Sequence, residues 1–239
     1  MCTVTLTPLG KQDFVLYSNR DEAPSRISKP PKFYNYKNIK LLYPEDVESA
    51  GTWIGLSEKQ RLICLLNGGF DIHERQANYR HSRGIVVKDL LSSNAIEDSV
   101  AQYDLLDIEP FTMIIVDWSK NLKFYELVWD GQQKHFRTLE QRPHIWSSST
   151  LYNSEMRTER QEWFKKFKSE HELNSETLDV FHRIAGKGNT DYGVIMDRGF
   201  VKTTSITKVE KHDAKVSMDY EDLATHDHSV EFLNQAPFN

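Results

Sequence analysis

Residues 1–22, MCTVTLTPLGKQDFVLYSNRDE, decide how this chain begins to fold. Apolar and polar residues alternate from Cys2 to Thr7, break at Pro8–Asp13, and alternate again from Phe14. A period of two reads as a strand and a Pro/Gly/Asp cluster as a turn, so the stretch predicts a β-hairpin. Antiparallel strands joined by a short loop return beside their start, which brings Asn19-Arg20-Asp21-Glu22 back to the Cys2 end. Cys2 follows the initiator Met1 directly. Without Met1, it would carry a thiol of pKa about 8.5 and an α-amine of about 7.7–8.0 on one carbon, a nucleophile and a base in one residue. A cation such as Arg20 lowers a thiol's pKa, and a carboxylate such as Asp21 can hold an ammonium or orient an amine. The plainer reading of Arg20–Glu22 is a turn with a surface ion pair, which accounts for Glu22 better than for Asp21.

Outward from this hairpin, the pattern repeats. TWIGLSEKQRLICLLNGG (52–69) predicts a second hairpin, Thr52 to Ser57 and Arg61 to Asn67, stopped by Gly68-Gly69. An Asn67 carboxamide beside glycine-freed backbone N–H groups suits an oxyanion hole; a simple Asn-Gly turn is the alternative. SRISKPPKFYNY (25–36) is Pro-broken and predicts a loop. SRGIVVKDLLSS (82–93) predicts a helix, and 111–131 a hairpin turning at Ser119–Asn121. Residues 147–167 predict a hydroxyl-rich loop, which includes Ser149, leading to an amphipathic helix. Ser154 is its expected cap, and Met156, Trp163, Phe164 and Phe167 its apolar stripe. Another Ser-capped helix follows at 175–185, then two or three strands to about 220. Antiparallel hairpins with grouped helices indicate an α+β fold, two sheets stacked between helix layers, in a single domain over 1–239.

Composition narrows the function. A net charge of −5 over 239 residues argues against a nucleic-acid binder, and the basic run at 160–171 reads as the solvated face of a helix. No window approaches 18 apolar residues and no charged leader precedes one, so no membrane span and a cytoplasmic location are expected. The two cysteines, Cys2 and Cys64, form no C-x-x-C pair, which argues against a thiolate zinc site; a disulfide between them stays open. Cys64, inside LICLL, is expected to be structural. His226 and His228 would share one side of a strand, yet lack an obvious third metal ligand.

Taken together, MCTVTL…YSNRDE, GTWIGLS, LLNGG, RHSRGIVVKDLL, SSSTLY and TTSITKV resemble, in that order, the NRDE family, which includes the transport and Golgi organisation 2 proteins. The resemblance runs from residue 1 to about 220 and implies an N-terminal-nucleophile hydrolase fold, a four-layer αββα sandwich of antiparallel sheets, related to choloylglycine hydrolases and penicillin acylases. It implies Cys2 as nucleophile, Arg20 beside the thiolate, Asp21 holding the amine, and Asn67 in the oxyanion hole. The second oxyanion asparagine of the choloylglycine relatives falls near Ser149. Two functions are then in view. One is an amidohydrolase cutting a non-peptide C–N bond of a small amide or acyl compound, with no cofactor required. The other is a carrier of haem or an acyl-CoA or lipid ligand, with Cys2 as a possible haem ligand and Trp53 and KFYNY near the mouth.

Overall fold

The computed structural model describes residues 2–234; Met1, and with it the expected removal of Met1, lies outside the described residues. In chain order the elements are β1 (Cys2–Pro8), β2 (Phe14–Glu22), β3 (Ser28–Tyr36), β4 (Ile39–Asp46), β5 (Ile54–Ser57), β6 (Arg61–Asn67), α1 (Arg83–Ser92) and α2 (Ile96–Gln102). There follow β7 (Phe111–Asp117), β8 (Lys123–Trp129), β9 (Lys134–Leu139), β10 (His144–Ser147), α3 (Ser154–Glu170), α4 (Ser175–Ile184), β11 (Lys202–His212), β12 (Lys215–Asp222) and β13 (His228–Asn234). The strands form two antiparallel sheets, one ordered β10-β1-β2-β11-β12-β13 and the other β3-β4-β5-β6-β7-β8-β9.

The period-two pattern explains why the sheets stack. Cys2, Val4, Leu6, Phe14 and Leu16 of the first sheet meet Leu42, Ile54, Leu62, Cys64 and Ile114 of the second in a central apolar layer. The alternate positions face outward. Ile63, Leu65, Met113 and Ile115 lie under Val86, Leu90 and Leu91 of α1 and Ile96 and Val100 of α2. Val15, Tyr17 and Ile206 lie under Phe164 of α3 and Leu178 and Phe181 of α4. Helix, sheet, sheet, helix is the four-layer αββα sandwich that the sequence predicts.

The departures are local. KFYNY is not a loop but part of β3, at the edge of its sheet. Its prolines are accommodated by a register shift between Lys29 and Lys32, where an edge strand gives up ladder hydrogen bonds at least cost. The second hairpin starts at Ile54 rather than Thr52. Asn153 and Asn174, each one residue before the expected serine, cap α3 and α4 by accepting from Met156 N and Thr177 N. In the stripe of α3, Phe164 is buried and Trp163 and Phe167 pack beside it, while Met156 stands outside that cluster. β9 has a mostly exposed, polar sequence and β10 only four residues, so neither carries a legible period. Among the described residues, no helix is long and apolar enough to cross a membrane.

Candidate active site

The β1–β2 ladder sets Cys2 directly opposite Arg20. Cys2 is wholly buried, and burial pushes its thiol up; the Asp21 charge adds to this while Arg20 opposes it. Arg20 is itself almost fully buried and heavily held. Its Nη2 donates to Asp46 Oδ2 at 2.7 Å, and its guanidinium lies 4.4 Å from the centre of the Trp53 ring. Arg26 shares the same carboxylate, its Nε donating to Asp46 Oδ2 at 2.7 Å. Burial alone would raise Asp46, but Arg26, the Ser49 N–H and Arg20 outweigh it and hold the carboxyl below its ordinary range.

Asp21, the next residue, faces the opposite way, under the helices. Tyr152 OH donates to its Oδ2 at 2.7 Å and Thr203 Oγ1 to its Oδ1 at 2.8 Å. Burial raises its pKa, against the pull of Arg160 and these two hydroxyls. Arg160 covers the Tyr152 ring at 3.6 Å. It donates to Thr3 Oγ1, to Ser147 Oγ at 3.2 Å, and to the carbonyls of Tyr192 and Gly193, each at 2.8 Å. The Cys2 thiol and the Asp21 carboxylate therefore lie on opposite faces of one sheet, with the backbone nitrogen of residue 2 in the plane between them.

Ser148 joins the two sheets at this end. Its N–H donates to the Cys2 carbonyl at 3.1 Å and its hydroxyl to the Asn67 carbonyl at 2.7 Å. Asn67, at the end of β6, lines a cavity of about 530 Å³ whose wall also includes Arg20, Glu22, Asp46 and Trp53. Among the described residues the Asn67 carboxamide has no hydrogen-bond partner. Cys2 lies behind this wall rather than in it. Ser149 is elsewhere: its Oγ donates to the Asp71 carbonyl at 3.2 Å, and it lines a separate pocket of about 310 Å³. Between the two runs Gly68, at φ 85°, where an added Cβ would stand 2.2 Å from Ser149 Oγ. The structure thus gathers Cys2, Arg20 and Asn67 at one end of the sandwich, sets Asp21 beneath them, and leaves Ser149 outside the cavity.

The two histidines considered as metal ligands serve other ends. His228 Nε2 pairs with Asp219 at 2.5 Å, and His226 sits in a turn at φ 61°. Among the described residues, no group of three or more His, Cys, Asp or Glu side chains is placed to hold a metal ion. His182 is fully buried: its Nδ1 donates to Asn19 Oδ1 and its Nε2 accepts from Thr5 Oγ1, both at 2.7 Å. Burial and the charge of Arg160 push its pKa down to about 3, so it is a neutral part of the packing under α4.

The model of the family described as transport and Golgi organisation 2 matches residues 1–221. The chain belongs to this family. No curated protein matches it in sequence. Among solved structures, an N-acylethanolamine-hydrolyzing acid amidase ortholog from Caenorhabditis elegans aligns with a TM-score of 0.59 at 9% identity, over 87% of this chain and 92% of its own. A variant of conjugated bile acid hydrolase from Clostridium perfringens aligns with a TM-score of 0.52 at 10% identity, over 100% and 99%. A second variant of that enzyme gives 0.52 at 10%, over 99% and 97%. At these identities the likeness is one of fold, the N-terminal-nucleophile hydrolase sandwich. Within the family's signature, the tetrad Asn19–Glu22 divides its labour by strand alternation. Asn19 and Asp21 bond beneath the helices, while Arg20 turns to the cavity. Asp46, Tyr152, Arg160 and Thr203, which hold Arg20 and Asp21, carry no sequence signal of that role.

Proposed function

We propose that this member of the transport and Golgi organisation 2 family, once Met1 is removed, is an N-terminal-nucleophile cysteine hydrolase that cuts a C–N bond in small polar amides. The observation that carries this reading is the β1–β2 register, which sets Cys2 opposite Arg20 at an end shared with Asn67. Cys2 Sγ attacks the amide carbonyl as the freed α-amine accepts the thiol proton. The Asn67 carboxamide N–H donates to the oxyanion that forms. The C–N bond then breaks, the α-ammonium hands its proton to the leaving amine, and a thioester remains on Cys2. Water, deprotonated by the same α-amine, hydrolyses the thioester and restores the thiol. Asp21 holds the α-ammonium from the far face of the sheet, and Arg20 offsets the thiolate charge on the near face. The hydrolase names of the structural neighbours support the reaction class.

The cavity wall favours this reading over carriage of haem or an acyl chain. Its large apolar or aromatic side chains are Trp53, Leu65 and Tyr79, set among arginines, carboxylates and amides, whereas a porphyrin or lipid needs mostly apolar walls. The test is amine release from a panel of short N-acyl amides by protein whose intact mass lacks Met1. Cys2→Ala is expected to lose turnover by at least about 100-fold, with Cys2→Ser between the two. Turnover unchanged in Cys2→Ala, or haem bound at micromolar concentration with a Soret band that moves in that variant, would overturn it.

A further inference from the structure

The cavity beside Arg20 and Asn67 is charged unevenly. On the wall nearest Arg20, two guanidiniums, Arg20 and Arg26, meet three carboxylates, Glu22, Asp46 and Glu48. On the wall formed by the loop before α1 and the start of that helix, the balance reverses. There Arg83 Nη2 pairs with Glu109 at 3.0 Å and Nη1 donates to the Pro110 carbonyl at 3.2 Å. Arg75 lines the same wall, and among the described residues it has no acidic partner. His81 also lines it; its Nδ1 donates to the Ser82 carbonyl at 3.1 Å, which leaves Nε2 uncommitted. Ser82 flanks α1 without capping it, its buried Oγ has no hydrogen-bond partner, and the first turn of α1 contains no acidic residue.

From this arrangement we infer that the Arg75–Arg83 wall is a subsite for a carboxylate carried by the substrate. The inference rests on the hydrolase reading for the word substrate, and on the cavity alone for the site. Glu109 neutralises one of the two guanidiniums, so one positive charge stands uncompensated, which suits a monoanion. A dianionic phosphate would bring a second negative charge up against Glu109. Guanidinium groups present a planar fork that fits the two oxygens of a carboxylate. Burial depresses the pKa of Arg83, and repulsion from Arg75 and Arg26 depresses it further, against the pull of Glu109. Arg26, Arg75 and Arg83 line one cavity, where a bound anion would offset their like charges. The substrate this describes is an amide whose carbonyl end lies toward Asn67 while its other end carries a carboxylate.

The experiment uses the full-length Cys2→Ala protein, so that binding is read without turnover. N-acetylglycine, its uncharged analogue N-acetylglycinamide and inorganic phosphate are titrated separately and followed by nuclear magnetic resonance of the arginine side chains and the first amides of α1. N-acetylglycine is expected to bind at least about 10-fold more tightly than N-acetylglycinamide, a difference of about 1.4 kcal/mol. Arg75 is exposed, so Arg75→Gln should fold normally. It should erase most of that 10-fold preference without changing N-acetylglycinamide binding, and Arg75→Lys should restore part of it. Equal affinity for acid and amide, tighter binding of phosphate than of N-acetylglycine, or a preference untouched by Arg75→Gln would each overturn the subsite. Loss of turnover in the parent protein with the preference intact would sink the hydrolase reading and leave the subsite standing.

Discussion

The two faces of β2 are built from adjacent residues and do different things. Toward the helices, every side-chain polar atom of Asn19 and Asp21 has a partner: Asn19 Nδ2 donates to the His182 and Val194 carbonyls, each at 2.8 Å, its Oδ1 accepts from His182, and both Asp21 oxygens accept hydroxyls. Toward the other sheet, Arg20 is pinned to Asp46 but still forms cavity wall, next to an Asn67 carboxamide with no partner among the described residues. A saturated face resists change, because removing any member strands a buried polar group; an open face keeps donors for something else. One strand thus supplies both a buried polar anchor beneath the helices and part of the cavity wall.

That division can be broken most severely at Arg160. Arg160→Ala removes a fully buried guanidinium that ties β1, β10 and the Tyr192–Gly193 backbone together, and should cost about 3–5 kcal/mol in denaturant unfolding. Arg20→Gln should cost less, about 1–2 kcal/mol, because Asp46 keeps Arg26 and the Ser49 N–H. Equal costs would erase the distinction between the faces.

A finer test uses pH. The His182 imidazole is held neutral down to about pH 3 in the folded chain, whereas the unfolded chain takes up that proton near 6.5. The unfolded state therefore binds more protons in between, and stability is fully present above pH 6.5 and lost as pH falls toward 3. The slope from this one residue is about 1.4 kcal/mol per pH unit. Urea unfolding of the parent and of His182→Gln between pH 7 and 4 should show the slope reduced by about that much in the variant. Parallel curves would show that His182 is not the group responsible.

Much of this site was legible in residues 1–22 alone, because alternation and a short turn fix a hairpin without help from the rest of the chain. The pairing of Cys2 with Arg20 follows from that local geometry. What holds those residues was not legible. Asp46, Tyr152, Arg160 and Thr203 lie on distant segments, and only the stacking of the sheets and helices brings them to Arg20 and Asp21. Alternation also explains why Asp21 and Cys2 share an end but not a face. The tie between Ser148 and Cys2 comes from the β10 register, which three consecutive serines do not show. The prolines of β3 hid a strand because edge pairing, which tolerates them, is a property of the sheet and not of the segment.

The central claim is that Cys2 is chemically distinct from Cys64, although both thiols are buried and burial pushes both upward. Cys64 sits in mid-strand between Ile63 and Leu65, with no cation opposite it: its ladder partners are Ile54 and Ile114. The direct measurement is iodoacetamide labelling of native protein lacking Met1, at pH 8, with peptide mapping by mass spectrometry. One adduct on Cys2, slowed in Arg20→Gln, with Cys64 unmodified, is the result this account predicts. Labelling of Cys64 at a rate equal to or above that of Cys2, or a Cys2 that stays unmodified, would contradict it.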